Sequence, residues 1–245
     1  METQEKVHEK LTIPGAIVTA GIVIALAVLY TGGKKSTSPL AGQNDNQVNK
    51  QEQQAKQIES IKPVTSDDHI LGNPNAPVKI VEFSDIECPF CKRFHPVLQK
   101  IMDDFGKDGK VAWVYRHFPL SIHQKATPEA IATECVNEQG GNDIFWKYLG
   151  QLFAESLSNN QTPDTLPAEI AKKLGVNMPK FNECVTSGRY DAKIQAHIED
   201  GISAGVSGTP YSIVIAKNGK KFPLNGSLPY DNVRTIVELA LKESK

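Results

Sequence analysis

Apolar and polar positions alternate along this chain in three distinct ways. Between residues 11 and 33, "LTIPGAIVTAGIVIALAVLYTGG" carries no charge and is apolar all round rather than along one stripe. As a helix it would extend roughly 34 Å, enough to cross a hydrocarbon core. It is read as an uncleaved transmembrane helix that comes after a short N-terminal segment, residues 1–10. A cleaved signal is the alternative, because "SPLAG" near Ala41 offers small residues. Lys6 and Lys10 on one side are matched by Lys34 and Lys35 on the other, so charge alone does not orient the span.

Residues 34–66 are rich in Gln, Asn, Lys and Ser, with too few large apolar side chains for a core. They read as a polar linker, or alternatively as holding a short amphipathic helix around residues 51–61. The folded part is expected over residues 67–245. There "VKIVEF" reads as a strand, and a helix is expected from about Pro89, with Phe94, Val97, Leu98 and Ile101 on one face. "KVAWVYRHFP" reads as a second strand, and a strand–helix–strand crossover predicts a parallel, right-handed pair. From about residue 121 to 204 the periodicity is helical, in several segments mostly closed by glycine. Asn218-Gly219 then joins two strand-like runs as a hairpin, and Val233, Ile236, Val237, Leu239 and Ala240 mark a last helix. The fold class expected is α/β, a sheet domain interrupted by a helical insertion.

Composition changes little in this picture. The chain has 245 residues, 22% of them charged, and a formal net charge of −1, with no basic face to attract nucleic acid. Its four cysteines, Cys88, Cys91, Cys135 and Cys184, are too few to staple the whole length.

Cys88 and Cys91 stand two residues apart where the first strand hands over to the first helix. A helix N-terminus offers unpaired N–H groups and partial positive charge, which stabilise a thiolate. Cys88 would then attack or receive a disulfide and Cys91 would resolve it. Zinc competes as a reading, since Cys88, Cys91 and His95 spell C-x2-C-x3-H, but a structural site needs a fourth ligand and no second close pair exists. An inert disulfide is the third reading. Pro89 and Phe90, between the cysteines, do not discriminate by themselves.

Glu82 shares a strand face with Ile80 and Ser84 by period-two alternation. It reads either as a half-buried acid exchanging a proton with Cys91 or as an acid that reaches water at the sheet's end. Pro210, after Gly208 and Thr209, opens a strand; a cis bond there would free backbone groups for a peptide substrate, whereas a trans bond would only start the strand. Cys135 and Cys184 lie in different expected helices, as a structural disulfide or as two buried thiols. His69, His117, His123 and His197 are scattered and read as surface or locally bonded residues.

Taken together, "DDHILGNPNAPVKIVEFSDIECPFC" and "GVSGTPYSIV" resemble the DsbA-like branch of the thioredoxin superfamily, over residues 67–245. The resemblance implies a thioredoxin-like fold with an inserted helical domain. It implies Cys88 as attacking cysteine, Cys91 as resolving cysteine, Glu82 as buried acid and Pro210 as cis-proline. Pro89, Phe90 and Thr209 would then lie against substrate, and similarity to members with a second disulfide favours the Cys135–Cys184 pair. The family's best-known oxidases carry His where this chain has Phe90. Phenylalanine gives a thiolate neither hydrogen bond nor positive charge, so a weaker oxidant is expected.

The expected protein is an extracytoplasmic, membrane-anchored thiol–disulfide oxidoreductase that needs no cofactor. It would donate its disulfide to reduced exported proteins and be reoxidised by a DsbB-like membrane partner. A reductase or isomerase using the same cysteines is the alternative, disfavoured because no folded dimerisation domain precedes the redox domain. A non-enzymatic tethered domain that binds zinc or peptides is the other.

Overall fold

A computed structural model describes residues 56–244 of the chain. The expected membrane span at 11–33, and the flanking residues 1–10 and 34–55, lie outside the described residues. Among the described residues no helix is long and apolar enough to cross a membrane.

Five strands and six α-helices are described: β1 His69–Gly72, β2 Val78–Ser84, α1 Pro89–Ile101, β3 Val111–His117, α2 Ala126–Glu155, α3 Leu166–Lys173, α4 Met178–Thr186, α5 Asp191–Ser203, β4 Tyr211–Ala216, β5 Lys221–Asn225 and α6 Tyr230–Glu243. They form one mixed sheet in the order β1-β3-β2-β4-β5. β2 and β3 are parallel and joined through α1, as the crossover predicts. β1 on β3, β4 on β2 and β5 on β4 run antiparallel. This is a thioredoxin-like α/β fold, with helices α2 to α5 inserted between β3 and β4.

Period-two alternation sorts the strands onto two faces. Val78 and Ile80 of β2, with Trp113 and Tyr115 of β3, meet Phe94, Leu98 and Ile101 of α1 and the aromatic side chains of α2. Each fully buried Leu or Phe there stabilises the fold by roughly 2 kcal/mol. On the other face, Val81, Phe83, Val114 and Ile213 are covered by Phe118, Val206, Ile58 and Ile61. Residues 56–66, part of the stretch expected as linker, therefore lie on the sheet. Arg116 fastens the adjoining chain, meeting Asp68 through Nε at 2.8 Å and Nη2 at 3.0 Å, Asp200 at 2.6 Å, and the carbonyls of Lys62 and Pro63.

One difference from the periodicity reading has a simple cause. β1 is only four residues, too short to show alternation, and is set by its pairing with the β3 edge. The helical segments expected on either side of the glycines near residue 140 are both present as the two halves of α2, which is broken at Gly141, whose φ of +67° is open to glycine without strain.

Candidate active site

Cys88 is the N-terminal cap of α1, in extended conformation, with Pro89 opening the helix as its fixed φ favours. The first turn brings Cys91 back beneath it. The two sulfurs are free thiols here, with Cys88 3% exposed and Cys91 fully buried. Cys91 donates a hydrogen bond to the Cys88 sulfur, and the backbone N–H groups of Phe90 and Cys91 do the same. The Cys91 hydrogen bond is the largest influence, and against the opposing cost of burial the Cys88 pKa falls to about 6. Cys91 moves the other way: burial first, then the Cys88 sulfur and the Glu82 charge, push its pKa well above that of an ordinary thiol. The N–H of Asp85 donates to the Cys91 sulfur at 3.4 Å.

On the second side of Cys88 lies the turn before β4. The Thr209–Pro210 peptide is cis, and the Cys88 thiol donates to the Thr209 carbonyl at 3.5 Å. Phe90, two residues after Cys88, is 52% exposed, its ring 4.9 Å from the Arg93 guanidinium carbon. The sulfur therefore meets a backbone acceptor, and an exposed apolar ring stands two residues along the chain.

Glu82 sits below the pair on the face shared with Ile80, and is 1% exposed. Trp113 Nε1 donates to its Oε2 at 2.9 Å. Burial raises the Glu82 pKa to about 7, outweighing the Trp113 hydrogen bond. Of the two readings of this acid, the structure has the buried one, and at neutral pH it is poised to hold or release a proton. Asp85 anchors the turn between β2 and α1: its carboxylate accepts from the N–H of Glu87, the N–H of Leu120 and His123 Nδ1, each at 2.8 Å. Sequence reasoning passes over Asp85, Glu87 and Trp113, and gives His123 no role at the site. The acidic run "SDIE" directly before the cysteines is the available signal for the first two; Trp113 and His123 meet the site only through tertiary packing.

Cys135 and Cys184 form a disulfide between α2 and α4, with a Cα–Cα distance of 5.8 Å. His95 does not turn towards the sulfurs. Its ring lies between Trp113 and Phe153, 5.0 and 4.8 Å between centroids, and burial lowers its pKa to about 4. His69, His117 and His123, read as surface or locally bonded, are buried and bonded to carboxylates distant in sequence. His69 and His117 both meet Glu134 Oε1, at 2.8 and 3.0 Å. Among the described residues these three are the only cluster with metal-ligand spacing, and it contains neither Cys88 nor Cys91. Lys193 Nζ already stands in the cation position, 2.8 Å from Glu134 Oε2 and 3.2 Å from His69 Nε2.

A family model described as "Thioredoxin" matches residues 64–238. "Probable disulfide bond formation protein D" of Bacillus cereus is 26% identical over 235 residues, covering 93% of this chain and 98% of that protein. "Na(+)/H(+) antiporter NhaA 1" of Salinispora arenicola is 31% identical over 169 residues, 67% of this chain; the match spans 24% of the antiporter's length. Among solved structures, Pseudomonas aeruginosa DsbA2 aligns with a TM-score of 0.62 and 26% identity over 73% of this chain and 96% of that one. Oxidised BdbD from Bacillus subtilis aligns with a TM-score of 0.62 and 26% identity, over 74% of this chain and 96% of that one. The fold, the helix-capping cysteine pair and these relatives agree: the chain belongs to the thioredoxin family and has the fold of the DsbA-like thiol–disulfide oxidoreductases.

Proposed function

We propose that the protein works outside the cytoplasm, tethered through residues 11–33, and donates a Cys88–Cys91 disulfide to reduced exported proteins. The observation that carries this reading is the asymmetry of the two sulfurs. Cys88 is stabilised as a thiolate and Cys91 is held as a thiol, so the dithiol form is favoured and the disulfide is a good electron acceptor.

In the oxidised enzyme a substrate thiolate attacks Cys88 Sγ. The Cys88–Cys91 bond breaks, and the Cys91 sulfur leaves with the electron pair and takes up a proton, for which Glu82 is the nearby source. A second substrate thiolate then attacks the substrate sulfur of the mixed disulfide. Cys88 departs as a thiolate, a good leaving group because of its low pKa. The substrate is oxidised by two electrons and the enzyme reduced by two; a disulfide-bearing membrane partner of the DsbB kind would accept them. Phe90 and the Thr209 carbonyl supply an apolar face and a backbone acceptor for an extended peptide lying across Cys88, and Pro89 and Pro210 shape its floor.

The pair's redox equilibrium with glutathione tests the direction of transfer. A donor lacking a hydrogen-bonding side chain at Phe90 should equilibrate above about −200 mV but below the roughly −120 mV of a strongly oxidising DsbA. A midpoint near or below about −270 mV would assign it to the reductases instead.

A further inference from the structure

Two acids that the disulfide chemistry does not use meet at the turn that leads into the attacking cysteine. Glu87 precedes Cys88 in the chain and is fully buried; Glu129, in the first turn of α2, is 3% exposed. Their carboxyl groups are in hydrogen-bond contact with each other. Glu87 Oε1 and Glu129 Oε2 have no protein donor. Two buried carboxylates cannot face one another without a proton between them, because both the like charges and the lost hydration oppose it. One shared proton removes both costs and makes a strong O–H···O⁻ bond.

Apart from its own N–H, which donates to Asp85, the remaining contacts of Glu87 run to the inserted helical block. Its backbone carbonyl accepts from the Asn159 N–H at 2.8 Å, and its Oε2 accepts from the Asn160 N–H at 2.5 Å. Ser158, Asn159 and Asn160 are three consecutive left-handed residues, with φ of 62°, 53° and 63°. Such a run persists only where the surroundings hold it in place, and Glu87 is what two of its three N–H groups hold. We propose that Glu129 is a positioning residue: sharing one proton with Glu87, it fastens the helical block to the turn that presents Cys88.

The charged groups that act on Glu129 fit this state. Asp85, on the same turn, adds negative charge and so favours keeping the proton. Lys125, at the start of α2, is the one cation acting on Glu129, and its ammonium is held by Asp164 at 2.7 Å and the Thr162 carbonyl at 2.6 Å. Tyr148, from the second half of α2, donates its hydroxyl to the Pro167 carbonyl at 3.1 Å. Burial first, then Glu87 and Asp85, raise the Glu129 pKa to about 9.

The inference rests on Cys88 being the attacking sulfur, and its test separates the two claims. Thiolate absorbance of Cys88 is titrated in the reduced full chain, in Glu129→Gln and in Glu129→Ala, and melting temperature is followed from about pH 5 to about pH 9. Glutamine still donates to Glu87, so Glu129→Gln should leave the Cys88 midpoint within about 0.3 pH unit. Glu129→Ala frees the turn and should raise it by about one unit, a roughly tenfold loss of thiolate below the midpoint. In the wild type the folded pair keeps a proton that the unfolded chain has released, so stability falls as pH rises across this window. Glu129→Gln lacks that loss, and its melting temperature should gain on the wild type as pH increases. An unmoved Cys88 midpoint in Glu129→Ala, or parallel melting curves for wild type and Glu129→Gln, would overturn the bridge. If Glu129→Ala does not fold, the pH series of Glu129→Gln decides alone. A wild-type Cys88 midpoint near about 8.5 would instead remove the reading of Cys88 as nucleophile.

Discussion

Replacing Cys88 with serine is expected to lower disulfide transfer to a reduced protein substrate by more than about a thousandfold, because a hydroxyl is neither a thiolate nucleophile nor a disulfide partner at neutral pH. Cys91→Ser should fail differently. Its Cys88 stays in the same helix cap, where the serine hydroxyl can replace the hydrogen bond that Cys91 donates, so it still attacks a disulfide-bearing substrate: one substrate sulfur joins Cys88 in a mixed disulfide and the other leaves as a thiolate. The mixed disulfide should persist, because the buried resolving sulfur beneath Cys88 is gone. Intact mass after alkylation distinguishes the two: Cys88→Ser carries no substrate adduct, and Cys91→Ser accumulates one. Substantial transfer by Cys88→Ser would mean that the reacting sulfurs are Cys135 and Cys184, the remaining pair.

The second large effect is on stability. Removing the Cys135–Cys184 bridge in a double alanine variant is expected to cost about 4 kcal/mol, the loop-closure value for a separation of 49 residues. For a chain of this size that corresponds to a melting temperature lower by roughly 8–15 °C. The bridge ties the first half of α2 to α4, both within the inserted block, while Cys88 and Cys91 ride on α1. Transfer activity of the molecules that remain folded at 25 °C should therefore stay within about twofold, because this separation makes the two sites nearly additive. Urea unfolding monitored by circular dichroism measures the first quantity. An unchanged midpoint would show that packing around Cys135 and Cys184 holds the block without the bond.

Most of the sheet was legible in the sequence because β2, β3 and β4 are short runs rich in β-branched and aromatic residues, bounded by turn residues. Val78, Ile80 and Glu82 fall on one face and Val81 and Phe83 on the other, and that parity put Glu82 on the face of Ile80 but left open whether it reached water. What parity could not supply was its partner. Trp113 stands opposite Ile80 on β3, one diagonal step from Glu82, and that register exists only once α1 has carried the chain across the sheet. The cap itself was legible, since Pro89 and the flanking apolar run mark where α1 begins. The Asp85–His123 contact joins residues far apart in sequence across a turn with no periodicity, and nothing local announces it. Ile58 and Ile61 were hidden for a related reason: two apolar side chains among Gln, Lys and Glu look like a linker until a hydrophobic sheet face needs covering.

The most direct test of disulfide donation tracks the disulfide itself. The oxidised full chain is mixed with an equimolar reduced, unfolded secreted protein under anaerobic, metal-free conditions, quenched with an alkylating agent, and both proteins are weighed and mapped. Donation predicts that the substrate gains one disulfide for each chain in which Cys88 and Cys91 become alkylated, with Cys135 and Cys184 still joined. A substrate that stays reduced while the Cys88–Cys91 bond remains intact would contradict it.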